Sequence, residues 1–427
     1  MLKRLIVAVG LALGAISHGG AQTTELVMYY PVQVGGPITK IIDEYVAGFQ
    51  ALNPDVKIQS VYSGSYADTH TKALTALKGS QPLHLAVLLA ADLHSYVNDD
   101  LVVAAEDLAT TPEEKAWLNG FYPAFLANSR REGKIWAVPF QRSTAVMYWN
   151  KAAFKEAGLD PEKPPRTWAE LIEMGGKVVK RDAAGNVERW GVFIPSNQGT
   201  AQWLFGAMAY QNGEQRLMNE AGNEVYLNAP KTIEALQFWV DLSRKHKVMP
   251  EGVVEWATTP AAFLEGKVAM IWHTTGNLTF IKERAKFDFG VAHLPGRDEP
   301  RSVVGGGNFY VFKNTSPAQR QAALRFMRYL TEPERAADWS IKTGYVAVTP
   351  AAYEVPAMKR YAQDLPAALV ARDQLPLATG EISVLDNQRV WKILNDGVQA
   401  AILGRSTPEQ AMNAAQLQAA QALRRSQ

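Results

Sequence analysis

The chain has 427 residues, no cysteine, 47% apolar residues and a formal charge of +2. That length exceeds what one hydrophobic core usually serves, so two lobes are expected. The missing cysteines exclude disulfides and thiol catalysis. The near-neutral charge, 0 once Lys3 and Arg4 are removed with a leader (+2 − 2), gives no reason to expect nucleic acid or an acidic membrane as partner.

Lys3 and Arg4 precede an apolar run at 5–16 and the small residues Gly19-Gly20-Ala21. This is the pattern of a secretory signal peptide over 1–21, with a mature start at Gln22. The run is shorter than the ~20 residues a membrane span needs. No cysteine offers a lipid anchor, so the mature protein is expected free in a periplasm.

Beyond the leader, residues 25–30 read as a strand. Pro37 opens a helix whose apolar positions Ile38, Ile41, Ile42, Tyr45, Phe49 and Leu52 follow a 3.6-residue period. Asn53-Pro54 ends it. A strand at 56–61, a helix through 69–77 and an apolar run at 83–89 complete a βαβαβ order. That order predicts a mainly parallel sheet with helices on both faces. A second α/β region is predicted from Val138, with a strand at 146–149 and a helix at 151–157 closed by Gly158. Thr167 with Glu170 forms a capping-box pattern, 181–188 a polar turn, and Ser316-Pro317 and Thr407-Pro408 mark two later helix starts.

Signs of catalysis are sparse. HExxH, GxSxG and the Walker lysine motif are all missing, and the seven histidines lack metal-ligand spacing. His70 beside Asp68 reads as a surface pair. Gly305-Gly306-Gly307 reads first as a turn, and alternatively as backbone N–H groups brought close to a ligand anion. Tyr66, Trp203 and Tyr345 stand beside polar residues in predicted loops, a mixture suited to a small polar organic ligand.

The segments YWNKAAFKEAGLDPEKPPRTWAEL (148–171) and LEGKVAMIWHTTGNL (264–278) resemble the family 1 extracellular solute-binding proteins of ABC importers. PDVKIQSVYSGSY, AKFDFGVAHLP and KTGYVAVTPAAY narrow the likeness to members that take phosphorylated glycerol compounds. The resemblance implies an α/β, two-lobed periplasmic binding protein fold of type II, with a ligand cleft between lobes. It implies lobe one at 22–138 plus 278–331 and lobe two at 139–277 plus 332–427. It places Tyr66, Ser143, Thr274, Gly306, Tyr345 and Arg389 at the ligand. Arg389 is suited to grip a phosphate bidentately.

Three positions depart from the family pattern. Leu89 falls where a glutamate accepts from glycerol hydroxyls, with Asp92 the nearest acid. Arg142 stands in place of a small polar residue. Trp203 is the candidate for the pocket tryptophan. The implied ligand is sn-glycerol 3-phosphate or a related phosphorylated glycerol. A glycerophosphodiester, another acidic compound or a sugar are the alternatives, and a secreted hydrolase is the remote one. No enzyme activity, cofactor, metal or nucleic acid is expected. The expected partners are a small anionic ligand and the permease's transmembrane subunits, with ATP-binding subunits behind them, and the protein itself is expected to be a monomer.

Mass spectrometry of the protein from periplasmic extract should find its N-terminus at Gln22; an intact leader on cytoplasmic protein would overturn that reading.

Overall fold

The computed structural model describes residues 23–426, so the predicted signal peptide lies outside the described residues. The strand Thr24–Tyr30 buries Leu26, Met28 and Tyr30 on one face, as a period of two requires. It pairs in parallel with Val56–Tyr62 on one side and Leu85–Leu89 on the other. The linking helix Ile38–Leu52 buries Ile38, Ile41, Ile42, Tyr45 and Phe49. Leu52, expected on the same face, is 69% exposed, because it is the last helical residue, at the surface turn capped by Asn53. The next helix, Tyr66–Lys78, begins earlier than its apolar pattern suggests. Ser65 caps it, accepting from the Asp68 N–H while the Asp68 carboxylate accepts from the Ser65 N–H. Asp68 is thus committed to the cap, and His70 turns instead to the Tyr96 hydroxyl at 2.6 Å.

The parallel run ends after three strands. Ser302–Phe312 lies antiparallel to Leu85–Leu89, and Val138–Asn150 lies antiparallel to Ser302–Phe312. Val268–Thr274 follows antiparallel, and Val187–Phe193 pairs with it in parallel. The sheet is therefore mixed rather than mainly parallel. Its two central strands return from distant parts of the chain and need no βαβ crossover.

The glycine triplet is not a turn. It lies inside the strand Ser302–Phe312, where the pairing register shifts between Gly307 and Asn308. Gly306 takes φ +98°, and a Cβ there would run into the Gln141 carbonyl oxygen. Only glycine fits that backbone.

Apolar packing divides into two main cores, and the long strand Val138–Asn150 serves both. Val146 and Tyr148 point into the first, while Ala145, Met147 and Trp149 point into the second. The first core also takes in Trp339, Val346, Tyr353 and Met358, which the expected boundaries assign to lobe two. Thr167 with Glu170 and Ser316 with Gln319 close capping boxes, and Thr407 accepts from the Gln410 N–H.

Phe49→Ala should cost ~3–5 kcal/mol, as loss of a fully buried aromatic does, while Leu52→Ser should change stability by less than about 0.5 kcal/mol. Urea unfolding of both variants checks the placement; equal costs would contradict it.

Candidate functional site

A cleft of about 310 Å³ opens where the two cores meet. It lies beyond the carboxyl ends of Thr24–Tyr30 and Leu85–Leu89, the usual ligand position in open α/β sheets. Of the residues expected at the ligand, Tyr66, Ser143, Thr274, Gly306 and Tyr345 line it, together with Leu89 and Trp203. Tyr66 is the first residue of its helix rather than a loop residue. Its hydroxyl donates to Gln141 Oε1 at 3.0 Å. Trp203 is also helical, on Ala201–Gln211, and its indole N–H donates to the Val304 carbonyl at 3.2 Å. The triplet glycines leave room for both rings: a Cβ at Gly305 would meet the Trp203 indole, and one at Gly307 the Tyr66 ring. Tyr345 follows the left-handed Gly344 cap and stacks on Trp339 at 5.7 Å.

Arg389 is not among the lining residues. The helix Asn387–Ile402 presents Gln388 and Trp391, three residues apart, to the cleft. Arg389 lies about 100° around the axis from Gln388. Its side chain is 51% exposed, with the Asp386 carboxylate 4.0 Å away. Asp92 does not substitute at the cleft either. It is buried, and its oxygens accept from Asn387 Nδ2 at 2.8 Å, from Gln388 Nε2 at 2.9 and 3.0 Å, and from the Tyr96 hydroxyl at 3.2 Å.

Arg142 is fully buried behind the floor formed by Ser143 and Gly306. Its Nη1 donates to Asn308 Oδ1 at 3.0 Å, and its guanidinium lies over the Phe125 ring. Its Nε and Nη2 find no partner among the described residues. Burial pulls its pKa down to about 10, so it remains protonated at neutral pH.

Several lining residues gave little signal in the sequence. Trp256 packs against His273 at 3.7 Å, and its indole N–H donates to the Gln33 carbonyl at 3.2 Å. Trp391 shares a helix face with Gln388, a spacing that helical periodicity could have flagged. Glu381 sits in an irregular segment, where no period applies. Its backbone N–H and C=O are both held by the Asn128 side chain. Glu381 is the one residue bearing a formal charge among the described residues that line the cleft. Burial raises its pKa to about 8; the Arg142 charge opposes the shift and Asp92 adds to it. Near neutral pH the carboxyl is therefore largely protonated, able both to donate and to accept.

Walls of tryptophan and tyrosine, a few hydroxyls and amides, and a buried carboxyl define a small-molecule binding cleft. Among the described residues no three His, Cys, Asp or Glu side chains converge as a metal site, and no helix is long and apolar enough to cross a membrane. The family model for bacterial extracellular solute-binding proteins matches residues 44–367, and the chain belongs to that family. It is 27% identical to the sn-glycerol-3-phosphate-binding periplasmic protein UgpB of Escherichia coli (strain K12), over 98% of this chain and 97% of that protein. Among solved structures it is similar to UgpB from Mycobacterium tuberculosis in complex with glycerophosphocholine. There the TM-score is 0.82 at 24% identity, covering 95% of this chain and 99% of the other. It is also similar to maltose-bound MalE3 of T. maritima, with TM-score 0.79 at 20% identity, covering 94% and 99%. The two-lobed fold is that of these binding proteins, and the chain is a solute-binding protein of the ABC-importer type.

A carboxyl whose pKa is raised by folding keeps its proton at pH values where the unfolded chain has lost it. Glu381 therefore stabilises the fold below its ordinary pKa, 4.5, and loses that contribution as pH rises towards about 8. Urea midpoints of wild type should fall between pH 5 and 8 relative to those of Glu381→Gln; parallel profiles would show that Glu381 ionises normally.

Proposed function

We propose that the protein captures an uncharged, polyhydroxylated solute, a sugar or small oligosaccharide, in the periplasm and hands it to a membrane permease driven by ATP-binding subunits. The observation that carries this reading is the charge of the cleft lining. Its one formally charged residue is an acid, and Arg389 is not among the lining residues. A phosphate monoester brings close to two negative charges and needs charge-assisted donors. A sugar instead needs aromatic faces for its C–H surfaces and paired donors and acceptors for its hydroxyls. Tyr66, Trp203, Trp256, Tyr345 and Trp391 supply the faces; Ser143, Thr274, Gln388 and a protonated Glu381 supply the hydrogen bonds.

A second reading, a glycerophosphodiester, is favoured by one feature. The unpartnered Nε and Nη2 of Arg142 lie just behind Ser143 and Gly306, where one negative charge would be partly balanced. A cationic head group on such a diester would also suit the aromatic walls. The relatives named for glycerol 3-phosphate and glycerophosphocholine support keeping it. Either solute would be buried by closure of the lobes.

Calorimetry over glucose, maltose, mannotriose, glycerol 3-phosphate and glycerophosphocholine separates the readings. A sugar should bind most tightly, and Trp203→Ala should weaken it roughly tenfold or more, about 1.4 kcal/mol. Tightest binding of glycerophosphocholine would establish the second reading; tightest binding of glycerol 3-phosphate would overturn both.

A further inference from the structure

The helix Asn387–Ile402 turns Gln388 and Trp391 to the cleft. Gln388 also reaches Asp92, which closes the short turn Ala90–Asp92 just beyond the cleft-lining Leu89. Its Nε2 donates to both Asp92 oxygens, at 2.9 and 3.0 Å. Asp92 is 1% exposed, and its other partners, Asn387 Nδ2 and the Tyr96 hydroxyl, are donors too. A carboxylate ringed by donors has only acceptor atoms to offer. The half of the Gln388 amide that meets Asp92 must therefore be its NH2 group.

That leaves Oε1. It makes no hydrogen bond to the described residues, and it keeps accessible surface, unlike the sealed, unpartnered nitrogens of Arg142. An unrestrained glutamine can turn its amide over and present either end to a solute. Here that turn would break both bonds to Asp92 and set Oε1 against the carboxylate. Hydrogen bonds to a charged group are the costlier ones to lose. The hydroxyls of Ser143 and Thr274 can each donate or accept, so they discriminate little between solute groups. Gln388 can only accept. Trp391, one turn further on, has its indole N–H taken by the Ile382 carbonyl at 3.0 Å, so it offers the cleft its ring alone. An acceptor held near an aromatic ring suits a hydroxyl on a carbon skeleton.

We propose that Asp92 is a positioning residue for solute specificity: it locks the Gln388 amide so that Oε1 accepts from one solute hydroxyl and rejects an anionic oxygen at that place. The inference rests on the cleft being the solute site. It holds for a sugar and for a glycerophosphodiester alike, since both carry hydroxyls, but the charged oxygens of a diester must then lie away from Gln388. A solute lacking that one hydroxyl leaves a buried acceptor unpaired, which is how a polar site rejects an analogue.

Calorimetry with maltose and glycerophosphocholine, each set against analogues lacking one hydroxyl at a time, tests this. For whichever solute wild type binds, loss of one particular hydroxyl should weaken binding roughly tenfold. In Gln388→Met that penalty should vanish while the penalties at the other hydroxyls stay. In Asp92→Asn, where Gln388 is intact but able to turn over, the same penalty should shrink. Penalties unchanged in either variant overturn the proposal. So does an equal loss for every analogue, the mark of a merely structural role. If neither solute binds wild type, the reading of the function fails, and side-chain amide spectra of the ligand-free protein with isotope-labelled glutamine decide the inference. The Gln388 Nε2 protons, identified by their loss in Gln388→Met, should exchange slowly in wild type, then shift and exchange faster in Asp92→Asn. Fast exchange in wild type, or unmoved resonances in Asp92→Asn, would overturn it. Should Asp92→Asn fold poorly, the wild-type exchange rate and Gln388→Met carry the decision.

Discussion

The structure depends on two long antiparallel strands, Val138–Asn150 and Ser302–Phe312, that carry residues of both cores. A strand shared by two cores cannot run regularly through the junction, because side chains on both faces would fill it. The positive φ of Gly306, the register shift between Gly307 and Asn308, and the bare faces of Gly305 and Gly307 resolve this. They remove three side chains where the cores approach each other, and the Trp203 and Tyr66 rings close on the space from opposite sides. The cleft is thus a consequence of sheet geometry, and the Trp203 and Tyr66 walls are positioned against bare glycine backbone as well as by the side chains they touch. A wall packed against glycine has little freedom to shift, which limits how much of the ordering cost a bound solute must offset.

Charge is handled by a different device. Arg142 and Glu381 are both buried beside the cleft, an arrangement that costs desolvation energy unless each is compensated. Compensation is incomplete: Arg142 keeps two nitrogens without partners, and Glu381 relaxes by holding its proton. Asp92, the third buried ionisable side chain nearby, has its oxygens engaged by Asn387, Gln388 and Tyr96. Of the three, Asp92 serves as framework, fixing the start of the helix that carries Gln388 and Trp391. Arg142 and Glu381 are left available to respond to what enters.

Much of the architecture was legible in the sequence because local rules governed it. The first three strands, the helix from Ile38, and the caps at Thr167, Ser316 and Thr407 follow from periodicity and hydroxyl-cap chemistry. What escaped was set by tertiary context. The glycine triplet reads locally as a turn, and only pairing on both edges makes it a bulged strand. Leu52 has the right helical angle but the wrong height. The same division runs through the cleft. Tyr66, Ser143, Thr274, Gly306 and Tyr345 came from family likeness and lie together, but Arg389 sits one helical step from the cleft face. Glu381 and Trp256 lie in irregular segments, where neither period nor capping marks a residue as inward-facing.

The segment 378–385 brings these threads together. An irregular segment between two cavities can give residues two apart to opposite sides, which a β-strand cannot, because its i and i+2 side chains share a face. Glu381 and Ser383 are two residues apart, yet Glu381 lines the cleft with its tryptophans and Ser383 lines a separate cavity of about 790 Å³. The Asn128 side chain holds both the N–H and the C=O of Glu381, and Asn128 itself lines that second cavity, so one amide fixes the backbone that divides the two spaces.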